Sequence, residues 1–290
     1  MSKFLTGMTA AAMVLVAGCS PEIDEATNEN ASAESAATAS LARIDCGEIT
    51  VADLSVFSTA GNYKGVKKTL TDSCYLIRHG DDLMLWDTGL PAQIAGKGAQ
   101  TDGGFTMTLA STIDDQLRAA KINPADIDII GISHFHDDHT GQMAGFPRAK
   151  LLTGKGDWSL VTAPNPDARM NIAPYAPWAK QGGTVEAVSG DHDVFGDGSV
   201  VMLDLPGHTP GHTALQVMTD KGPVLLSGDL THFNENYAND GIPTWNTDPQ
   251  DSLASIQRFK KLAKDTNATV VIQHEPADIG KVPALTAATE

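Results

Sequence analysis

Residues 134–139 read HFHDDH, which is three histidines and two aspartates in six positions of a chain that has only nine histidines. Neutral imidazoles and carboxylates are the nitrogen and oxygen ligands that Zn²⁺ binds in proteins. Extended spacing brings His134 and His136 to the same side, and the turn that follows directs Asp138 and His139 elsewhere. One loop can therefore supply ligands to two neighbouring metal ions. Such a pair of ions can act together on a hydroxide and a leaving oxygen.

Four apolar runs are each followed closely by a histidine or an aspartate. IDIIGIS ends directly before His134, and the runs VVMLDLP, PVLLSG and TVVIQ are followed by His208, Asp229 and His274. In an open α/β sheet, ligands converge on the carboxyl ends of the strands. We therefore expect these side chains to meet at one edge of the fold.

The elements that must position this cluster alternate between strand and helix patterns. Short apolar or alternating runs predict strands, whereas residues 108–122 and 247–265 carry apolar side chains at helical spacing. This order favours a layered α/β domain, which we expect to span residues 41–290. The net charge of −16 repels phosphate backbones, so a nucleic-acid partner is not expected.

The first 40 residues differ in composition from the rest of the chain. Residues 1–18 have a lysine followed by a short apolar run, which predicts a secretory signal peptide. The ending VAGC resembles a bacterial lipobox, with Cys19 as the lipidated residue; the alternative is an ordinary signal peptide that contains a cysteine. Residues 19–40 are rich in Ala, Ser, Glu and Asn and predict a flexible tether. We expect a lipoprotein of the bacterial cell envelope that faces the periplasm and is anchored to the membrane through Cys19.

Two cysteines, Cys46 and Cys74, remain in the predicted domain. An exported chain enters an oxidising compartment, where such a pair can form a disulfide. Two buried thiols are the alternative, because sequence spacing does not determine the distance between two side chains.

The segment His134-x-His136-x-Asp138-His139 resembles the signature of the metallo-β-lactamase superfamily, and LPGHTPGH, LLSGDL and VVIQH match its later motifs in order. The resemblance implies an α/β fold, a four-layer αββα sandwich, with the metals at a shared edge. It further implies that the first ion is held by His134, His136 and His208, and that the second is held by Asp138, His139 and His274.

The same resemblance assigns roles to three further residues. Asp229 corresponds to the carboxylate that bridges both ions. Asp87, in LWDTG, corresponds to an aspartate that holds a ligand imidazole from behind; the alternative is that it only caps a turn. His212, the second histidine of LPGHTPGH, corresponds to a position that is usually structural in the family.

Within the superfamily, the chain looks most similar to the N-acyl-homoserine lactonases, through CYLIRHGDDLMLWDTGLP, the stretch from HFHDDH to GKGDW, LLSGDLTHF and WNTD. The resemblance implies two divalent metal ions, with Zn²⁺ expected, and an acyl lactone as substrate. A metal-bridging hydroxide would attack the lactone carbonyl, and Asp138 or a water would protonate the leaving ring oxygen.

One position departs from the better-known lactonases. Their tyrosine three residues after the bridging aspartate, which donates to the substrate carbonyl, is His232 here. His232 can donate the same hydrogen bond, or it only forms part of the pocket wall. Tyr237 is an alternative donor. Organophosphate-cleaving members also carry a histidine there, so that activity, or cleavage of another ester, is the leading alternative and a β-lactamase is a weaker one.

The sequence leaves the substrate pocket and the functional class open at two points. Aromatic side chains in and after the proline-rich segment 157–183 could form an apolar channel for an acyl chain, or they pack within loops. The channel candidates are Trp158, Trp178, Phe233, Tyr237 and Trp245. A zinc-binding lipoprotein without catalytic activity is the non-enzyme alternative, and the oligomeric state is not predicted.

Overall fold

The computed structural model describes residues 37–168 and 170–287, within which two β-sheets pack face to face. The first sheet is formed by β1 (Ser40–Val51), β2 (Lys68–His79), β3 (Asp82–Trp86), β4 (Gln100–Asp102), β5 (Phe105–Thr108), β6 (Ile129–Ile132), β7 (Lys150–Gly154) and β8 (Val185–Val188). The second sheet is formed by β9 (His192–Asp193), β10 (Val200–Asp204), β11 (Thr213–Thr219), β12 (Gly222–Leu226) and β13 (Thr269–Val271). The predicted signal peptide, Cys19 and nearly all of the predicted tether lie outside the described residues.

The strand order within each sheet brings the predicted ligand-bearing strands to one region. The order is β4-β5-β1-β2-β3-β6-β7-β8 in the first sheet and β13-β12-β11-β10-β9 in the second. β3, β6, β7 and β8 pair in parallel, as do β12 and β13, whereas the remaining pairs are antiparallel. Parallel pairing aligns the carboxyl ends of β3 and β6, and likewise those of β12 and β13.

Helices cover the outer faces of the sheets. The α-helices are α1 (Ile113–Ala119), α2 (Asp137–Thr140), α3 (Lys155–Val161), α4 (Ala176–Ala179), α5 (Asn234–Asn239) and α6 (Pro249–Thr266). Short 3₁₀ turns lie at Leu54–Phe57, Ala92–Ile94, Pro124–Asp126, Met143–Gly145, Ala173–Tyr175, Gly228–Leu230 and Pro276–Lys281. No helix within the described residues is both long and apolar enough to cross a bilayer.

Side-chain alternation along the strands explains the layers. In β2, Cys74 and Leu76 face a core shared with α1, while Tyr75 and Ile77 face the core between the sheets. This period of two residues follows from the pleat of a strand. On the second sheet, buried residues of β10 to β12 pack against α6. Helix, sheet, sheet and helix thus form four layers, which confirms the predicted αββα fold.

Helix α6 illustrates how local sequence sets an element that borders the site. The side chain of Asp248 accepts hydrogen bonds from the backbone N–H groups of Gln250 and Asp251, and Pro249 occupies the first turn. These are strong helix-start signals. Ile256 and Phe259 are buried against the second sheet, so the cap and the apolar face together hold the preceding loop, residues 245–248, next to the carboxyl end of β10.

Candidate metal centre

The predicted ligands come together at the carboxyl ends of four strands. His134 follows β6, His208 follows β10, Asp229 follows β12 and His274 follows β13. His136 directly precedes α2, which carries Asp138 and His139. These seven side chains form two groups in which one potential ligand atom of each member lies within 4.8 Å of the others in its group. We call them the first cluster, His134, His136, His208 and Asp229, and the second cluster, Asp138, His139 and His274.

The first cluster points three imidazole nitrogens at one another. Nε2 of His134 lies 2.9 Å from Nδ1 of His136 and 3.2 Å from Nε2 of His208, which is itself 3.1 Å from Nδ1 of His136. Neutral imidazoles that converge through their lone pairs repel each other unless a proton or a cation lies between them. This geometry is therefore that of a trigonal ligand set.

The second cluster combines two imidazoles with the carboxylate of Asp138. Nε2 of His139 and Nε2 of His274 lie 3.3 Å apart, and the carboxylate oxygens of Asp138 are 3.8 Å and 3.9 Å from them. His139 and His274 are buried, whereas the side chain of Asp138 is 26% exposed. Asp138 is thus the ligand candidate that also faces solvent or substrate.

Asp229 connects the two clusters through its two carboxylate oxygens. Oδ2 faces the first cluster, 3.4 Å from Nε2 of His208 and 3.7 Å from Nε2 of His134. Oδ1 faces the second cluster, 2.9 Å from Nε2 of His274 and 3.1 Å from Nε2 of His139. One carboxylate is therefore shared between both ligand sets, which is the geometry of a bridging ligand.

The electrostatics of the two clusters differ because the carboxylates lie closer to the second. Burial lowers the pKa of His134 and of His208 well below the ordinary value, so both imidazoles are neutral at pH 7. Burial also acts to lower the pKa of His139, but the nearby carboxylates of Asp229 and Asp87 outweigh it and raise that pKa well above the ordinary value. Neutral imidazoles in the first cluster offer their lone pairs directly to a cation.

The residues present fit a pair of divalent cations. Oδ1 of Asp229 is buried and has no well-aligned hydrogen bond within the described residues, although two imidazole nitrogens lie close to it. A buried carboxylate oxygen without an aligned donor is costly. Imidazole nitrogens lie on both sides of Asp229, 2.9 Å and 3.1 Å from Oδ1 and 3.4 Å and 3.7 Å from Oδ2, so bound cations would satisfy both carboxylate oxygens. Imidazole and carboxylate are also the donor types that Zn²⁺ accepts.

Asp87 contacts His139 and the neighbours of two other cluster histidines from outside the ligand set. Its Oδ2 lies 2.9 Å from Nδ1 of His139 and accepts a hydrogen bond from Nε2 of Gln273, while its Oδ1 accepts the backbone N–H of Ser133. Ser133 and Gln273 each precede a cluster histidine in the chain. One buried carboxylate therefore orients β6, α2 and β13 together, a role that second partners of metal-binding histidines commonly have.

Two other histidines of the clusters have fixed orientations. Nδ1 of His208 lies 2.8 Å from the side-chain oxygen of Asn246, and Nδ1 of His274 lies 2.9 Å from the backbone oxygen of Thr71. Both oxygens are acceptors, so each Nδ1 carries the proton and each Nε2 is left free to face the cluster. The proton positions of these imidazoles are thus set by neighbours outside the ligand set.

An apolar cavity of about 640 Å³ opens over the two clusters. Its floor includes His136, Asp138, Asp229, His232 and His274. Its walls come largely from the 3₁₀ turn after β1, from β2, from the loop after β3 and from β5, and include Ile49, Val56, Phe57, Leu70, Leu90, Pro91, Ile94, Phe105, Met107 and Trp245. This volume lies within the range of ligand-binding pockets. An apolar wall over a polar floor suits a substrate with an apolar tail and a polar reactive group.

His232 lies between the clusters and the cavity wall. Its Nε2 is 2.9 Å from Oδ2 of Asp229, and its ring contacts the rings of Phe57 and Trp245 edge-on. Its Nδ1 is buried and has no hydrogen-bond partner within the described residues. His232 therefore borders both the bridging carboxylate and the space available to a substrate.

The structure corrects the predicted apolar channel. Of the five channel candidates, only Trp245 lines the cavity. Trp178 is 4% exposed and donates from Nε1 to the backbone oxygen of Ala149, and Trp158 packs on the same core, on the outer face of the first sheet. Phe233 is fully buried against Phe57 and Tyr63.

Tyr237 packs on Phe259 beneath the second sheet and does not line the cavity either.

The absence of Trp158 and Trp178 from the cavity wall has a physical cause. Segment 157–183 folds back as α3 and α4 onto the first sheet, where burying its large aromatic side chains removes more apolar surface from water than a position beside an open cavity would.

Sequence reasoning also missed residues that act around the clusters. The cavity walls contributed by β1, β2 and β5 carry only ordinary strand residues, so no local signal marked them. The sequence patterns also do not predict the roles of Asn246, which follows Trp245 in WNTD, and of Asp157, in GKGD. An aspartate preceded by two closely spaced glycines, Gly154 and Gly156, is the signal that could have identified Asp157.

The disulfide predicted as one of two alternatives is present, since Cys46 and Cys74 are bonded. Both residues are fully buried beneath the loop that follows β3. A Cβ atom on Gly89 of this loop would overlap Cys46, so the absence of a side chain there lets the loop rest on the disulfide. Gly89 has φ +61°, which favours glycine as well.

Comparison with known proteins agrees with this geometry. The chain is 28% identical over 225 residues to the N-acyl homoserine lactonase AttM of Rhizobium radiobacter, covering 72% of this chain and 84% of that protein. A solved structure of a quorum-quenching N-acyl homoserine lactone hydrolase superposes with a TM-score of 0.72 at 24% identity, covering 85% of this chain and 97% of that chain.

A second solved structure, of the dizinc quorum-quenching lactonase AidC, superposes with a TM-score of 0.65 at 20% identity and covers 83% of this chain and 88% of that chain. At these identities the two solved structures establish the fold. The sequence pattern of the metallo-beta-lactamase superfamily matches residues 70–274, a stretch that runs from β2 to the last cluster histidine. The chain therefore belongs to the metallo-beta-lactamase superfamily.

Proposed function

We propose that this protein hydrolyses the lactone ring of N-acyl homoserine lactones with the help of two divalent cations, most simply Zn²⁺. The observation that carries the proposal is the single carboxylate of Asp229, shared between two ligand clusters at the floor of an apolar cavity. Curated relatives at 27–28% identity that are named N-acyl homoserine lactonases support the same substrate class.

The cluster residues assign the ligands. His134, His136 and His208 would hold one cation, Asp138, His139 and His274 the other, and Asp229 both. When bound, such a pair supplies Lewis acidity and a water that is deprotonated near neutral pH. Proton transfer, hydrogen bonding to the carbonyl and binding of the acyl chain are assigned to the side chains that border the cavity.

Asp138 is the proposed proton carrier. It lines the cavity and is the most exposed carboxylate of the clusters, with a side-chain exposure of 26% against 5% for Asp229. A new bond forms between a water oxygen and the carbonyl carbon, and the bond between that carbon and the ring oxygen breaks. The carboxylate of Asp138 accepts the proton of the water and returns it to the ring oxygen, which gives the ring-opened hydroxy acid.

His232 is the proposed donor to the substrate carbonyl. Its Nε2 faces Oδ2 of Asp229 at 2.9 Å, and the ring forms part of the cavity floor. With cations bound at the clusters, the carboxylate of Asp229 would compete less for this N–H, which would then donate to the carbonyl oxygen as negative charge grows on it during attack.

The acyl chain is proposed to lie against the apolar walls. Phe57, Phe105, Met107 and Trp245 line the cavity beside the polar floor, so a lactone placed over the clusters has room for its tail along these side chains. Apolar burial of the tail contributes roughly 0.8 kcal/mol per CH₂ group. Long acyl chains should therefore bind more tightly than short ones.

We further propose that the protein is exported and anchored in the cell envelope. The signal-peptide pattern of residues 1–18 and the lipobox ending at Cys19 support this. Mass spectrometry of the membrane fraction tests it: a diacyl modification on Cys19 is expected, and an unmodified chain in the soluble fraction would contradict it.

The experiment that tests the enzymatic proposal uses residues 37–290. Metal content per chain is measured first, and turnover is then measured on a long-chain acyl homoserine lactone, a phosphotriester and a cephalosporin. The expected result is two metals per chain and lactone hydrolysis that is lost on chelation and restored by Zn²⁺. Asp138→Asn, compared at equal metal content because Asp138 is also a ligand candidate, should lose most turnover, and a wild-type chain that binds less than one metal would overturn the proposal.

Phosphotriester hydrolysis is the second candidate, favoured by His232, because organophosphate-cleaving members of this fold resemble the chain at that position. His232→Tyr discriminates between the two candidates. If the chain is a lactonase, the tyrosine should preserve lactone turnover, since its hydroxyl can also donate to a carbonyl. Two bound metals without turnover of any of the three substrates would instead support a zinc-binding protein without catalytic activity.

A further inference from the structure

A buried carboxylate outside the two clusters lies between the loops that carry the histidines of the first cluster. Asp157, in the first turn of α3, is fully buried. Its Oδ2 accepts hydrogen bonds from the backbone N–H of Phe135, at 3.2 Å, and from Oγ1 of Thr209, at 2.8 Å. Its Oδ1 accepts the backbone N–H of Gly211, at 2.7 Å.

The donors come from two separate ligand loops. Phe135 stands between His134 and His136, on the loop that follows β6, whereas Thr209 follows His208 on the loop after β10. These loops belong to different sheets, and none of the three donors is itself a ligand candidate. One side chain therefore joins the two halves of the first cluster, and none of its three hydrogen bonds involves a residue of the second cluster.

The backbone around Asp157 is built for a close approach. A Cβ atom on Gly154 would overlap the backbone oxygen of Gly211, and a Cβ on Gly156 would overlap that of Pro210. A Cβ on Gly211 would in turn overlap the backbone nitrogen of Asp157. Three glycines thus let the start of α3 touch the loop after His208, and this contact brings the carboxylate within reach of both loops.

We propose that Asp157 is a positioning residue that sets the distance between His208 and the pair His134 and His136, and thereby the affinity of the first cluster for its cation. The inference rests on the proposed two-metal function. Three hydrogen bonds converge on this one side chain, so the two loops are held in fixed positions relative to each other. Loss of second partners of this kind typically weakens metal binding by roughly 10–100-fold.

The test compares metal affinity in the wild-type domain and in Asp157→Asn, by competition with a chromogenic chelator and with Zn²⁺ as the probe. The amide has nearly the same shape but turns one acceptor into a donor, which then faces an N–H or O–H that also donates. One of the two binding constants should weaken by roughly 10–100-fold, while the other changes by less than about threefold. With Co²⁺ as a spectroscopic probe, the visible absorption of one site should change selectively.

Two further variants separate positioning from general destabilisation. Leu117→Ala removes a fully buried side chain of α1 that is neither a ligand candidate nor a hydrogen-bond partner of Asp157, and it serves as the control for lost stability. It should lower the melting temperature without selective loss of one metal. Thr209→Val removes one of the three hydrogen bonds, so it should give a smaller effect of the same kind that does not add fully to that of Asp157→Asn.

The outcomes distinguish this inference from the function on which it rests. If the wild-type domain does not bind two metals, the proposed function itself fails. If the wild-type domain binds two and Asp157→Asn binds both with unchanged affinity, the positioning role is wrong. Equal weakening of both sites, matched by Leu117→Ala at the same loss of stability, would also overturn it.

Discussion

The backbone N–H of Asp229 donates a hydrogen bond to Nε2 of His212, 3.0 Å away, and Nδ1 of the same imidazole lies 2.9 Å from the backbone oxygen of Leu205. His212 is fully buried, and burial lowers its pKa to about 4, so the ring is neutral and carries its proton on Nδ1. It therefore connects the loop that bears the bridging carboxylate to Leu205, the first residue after β10 on the way to His208, although it is not a ligand candidate.

His212→Ala should consequently affect stability and metal binding together. The change leaves the N–H of Asp229 and the oxygen of Leu205 buried without these partners, at a cost of about 1–3 kcal/mol each. Urea denaturation of the chelated protein measures the loss, and metal content measures the effect on Asp229. His192→Ala, on a half-buried histidine at the edge of the second sheet, is the control and should change the free energy of unfolding by less than about 1 kcal/mol. A similar loss in both variants would refute a specific role for His212.

Two tryptophans that the sequence placed in one channel should respond differently to substitution. Trp178→Ala removes a core side chain and is expected to lower the free energy of unfolding by about 3–5 kcal/mol, with the same KM ratio for long and short acyl lactones. Trp245→Ala removes a side chain that is 38% exposed on the cavity wall. It should raise the KM for long chains about fivefold relative to short chains, equivalent to on the order of 1 kcal/mol.

Steady-state kinetics on a series of acyl lengths, together with denaturation of both variants, checks this pair of expectations. Chain-length selectivity that changes with Trp178 and not with Trp245 would reverse the assignment of the cavity.

The disulfide should contribute measurably to stability. Cys46 and Cys74 are separated by 28 residues, and closing a loop of this length stabilises the folded state by about 3–4 kcal/mol in the chain-entropy description. Cys46→Ala, Cys74→Ala and the double variant should therefore lose about the same amount, since each breaks the same bond. Guanidinium denaturation without reductant measures it, and a double variant within about 1 kcal/mol of wild type would contradict the expectation.

The pH dependence of stability should carry a contribution from Asp157. Burial raises its pKa from 3.8 to about 7, although hydrogen bonds from Thr209, Gly211 and Phe135 oppose the shift. Between these two values the folded chain holds a proton that the unfolded chain has released, so this contribution is fully present below about pH 4 and is lost as pH rises through about 7. Relative to Asp157→Asn, the free energy of unfolding of wild type should fall by up to about 4 kcal/mol across this window.

Denaturation of both chelated proteins from pH 4 to pH 8 tests this sign, because metal release then does not contribute. A difference that rises with pH would mean that hydrogen bonding to the charged carboxylate outweighs its burial.

Much of the fold was predictable because its signals are local. The alternation of Cys74 and Leu76 with Tyr75 and Ile77 indicates two buried faces of one strand. The Thr247-Asp248-Pro249 start signal of α6 can be recognised without knowing what the helix packs against. The four-layer arrangement followed from the resemblance of HFHDDH and the later motifs to a known superfamily. The pocket was not predictable in this way, since Trp178 and Trp245 are both aromatic residues near prolines and only packing separates core from cavity wall.

The sequence by itself determined which side chains can bind cations, because residue type and position after a strand are properties of the chain. His134, His208, Asp229 and His274 each follow an apolar run, and the parallel pairing of strands brings such ends to one edge. Only the tertiary structure decided that Oδ1 and Oδ2 of Asp229 face different clusters, and that Asp157 joins two loops of different sheets. These contacts require segments far apart in the chain to be placed to within a few tenths of an ångström, and spacing along a sequence carries no information on such placement.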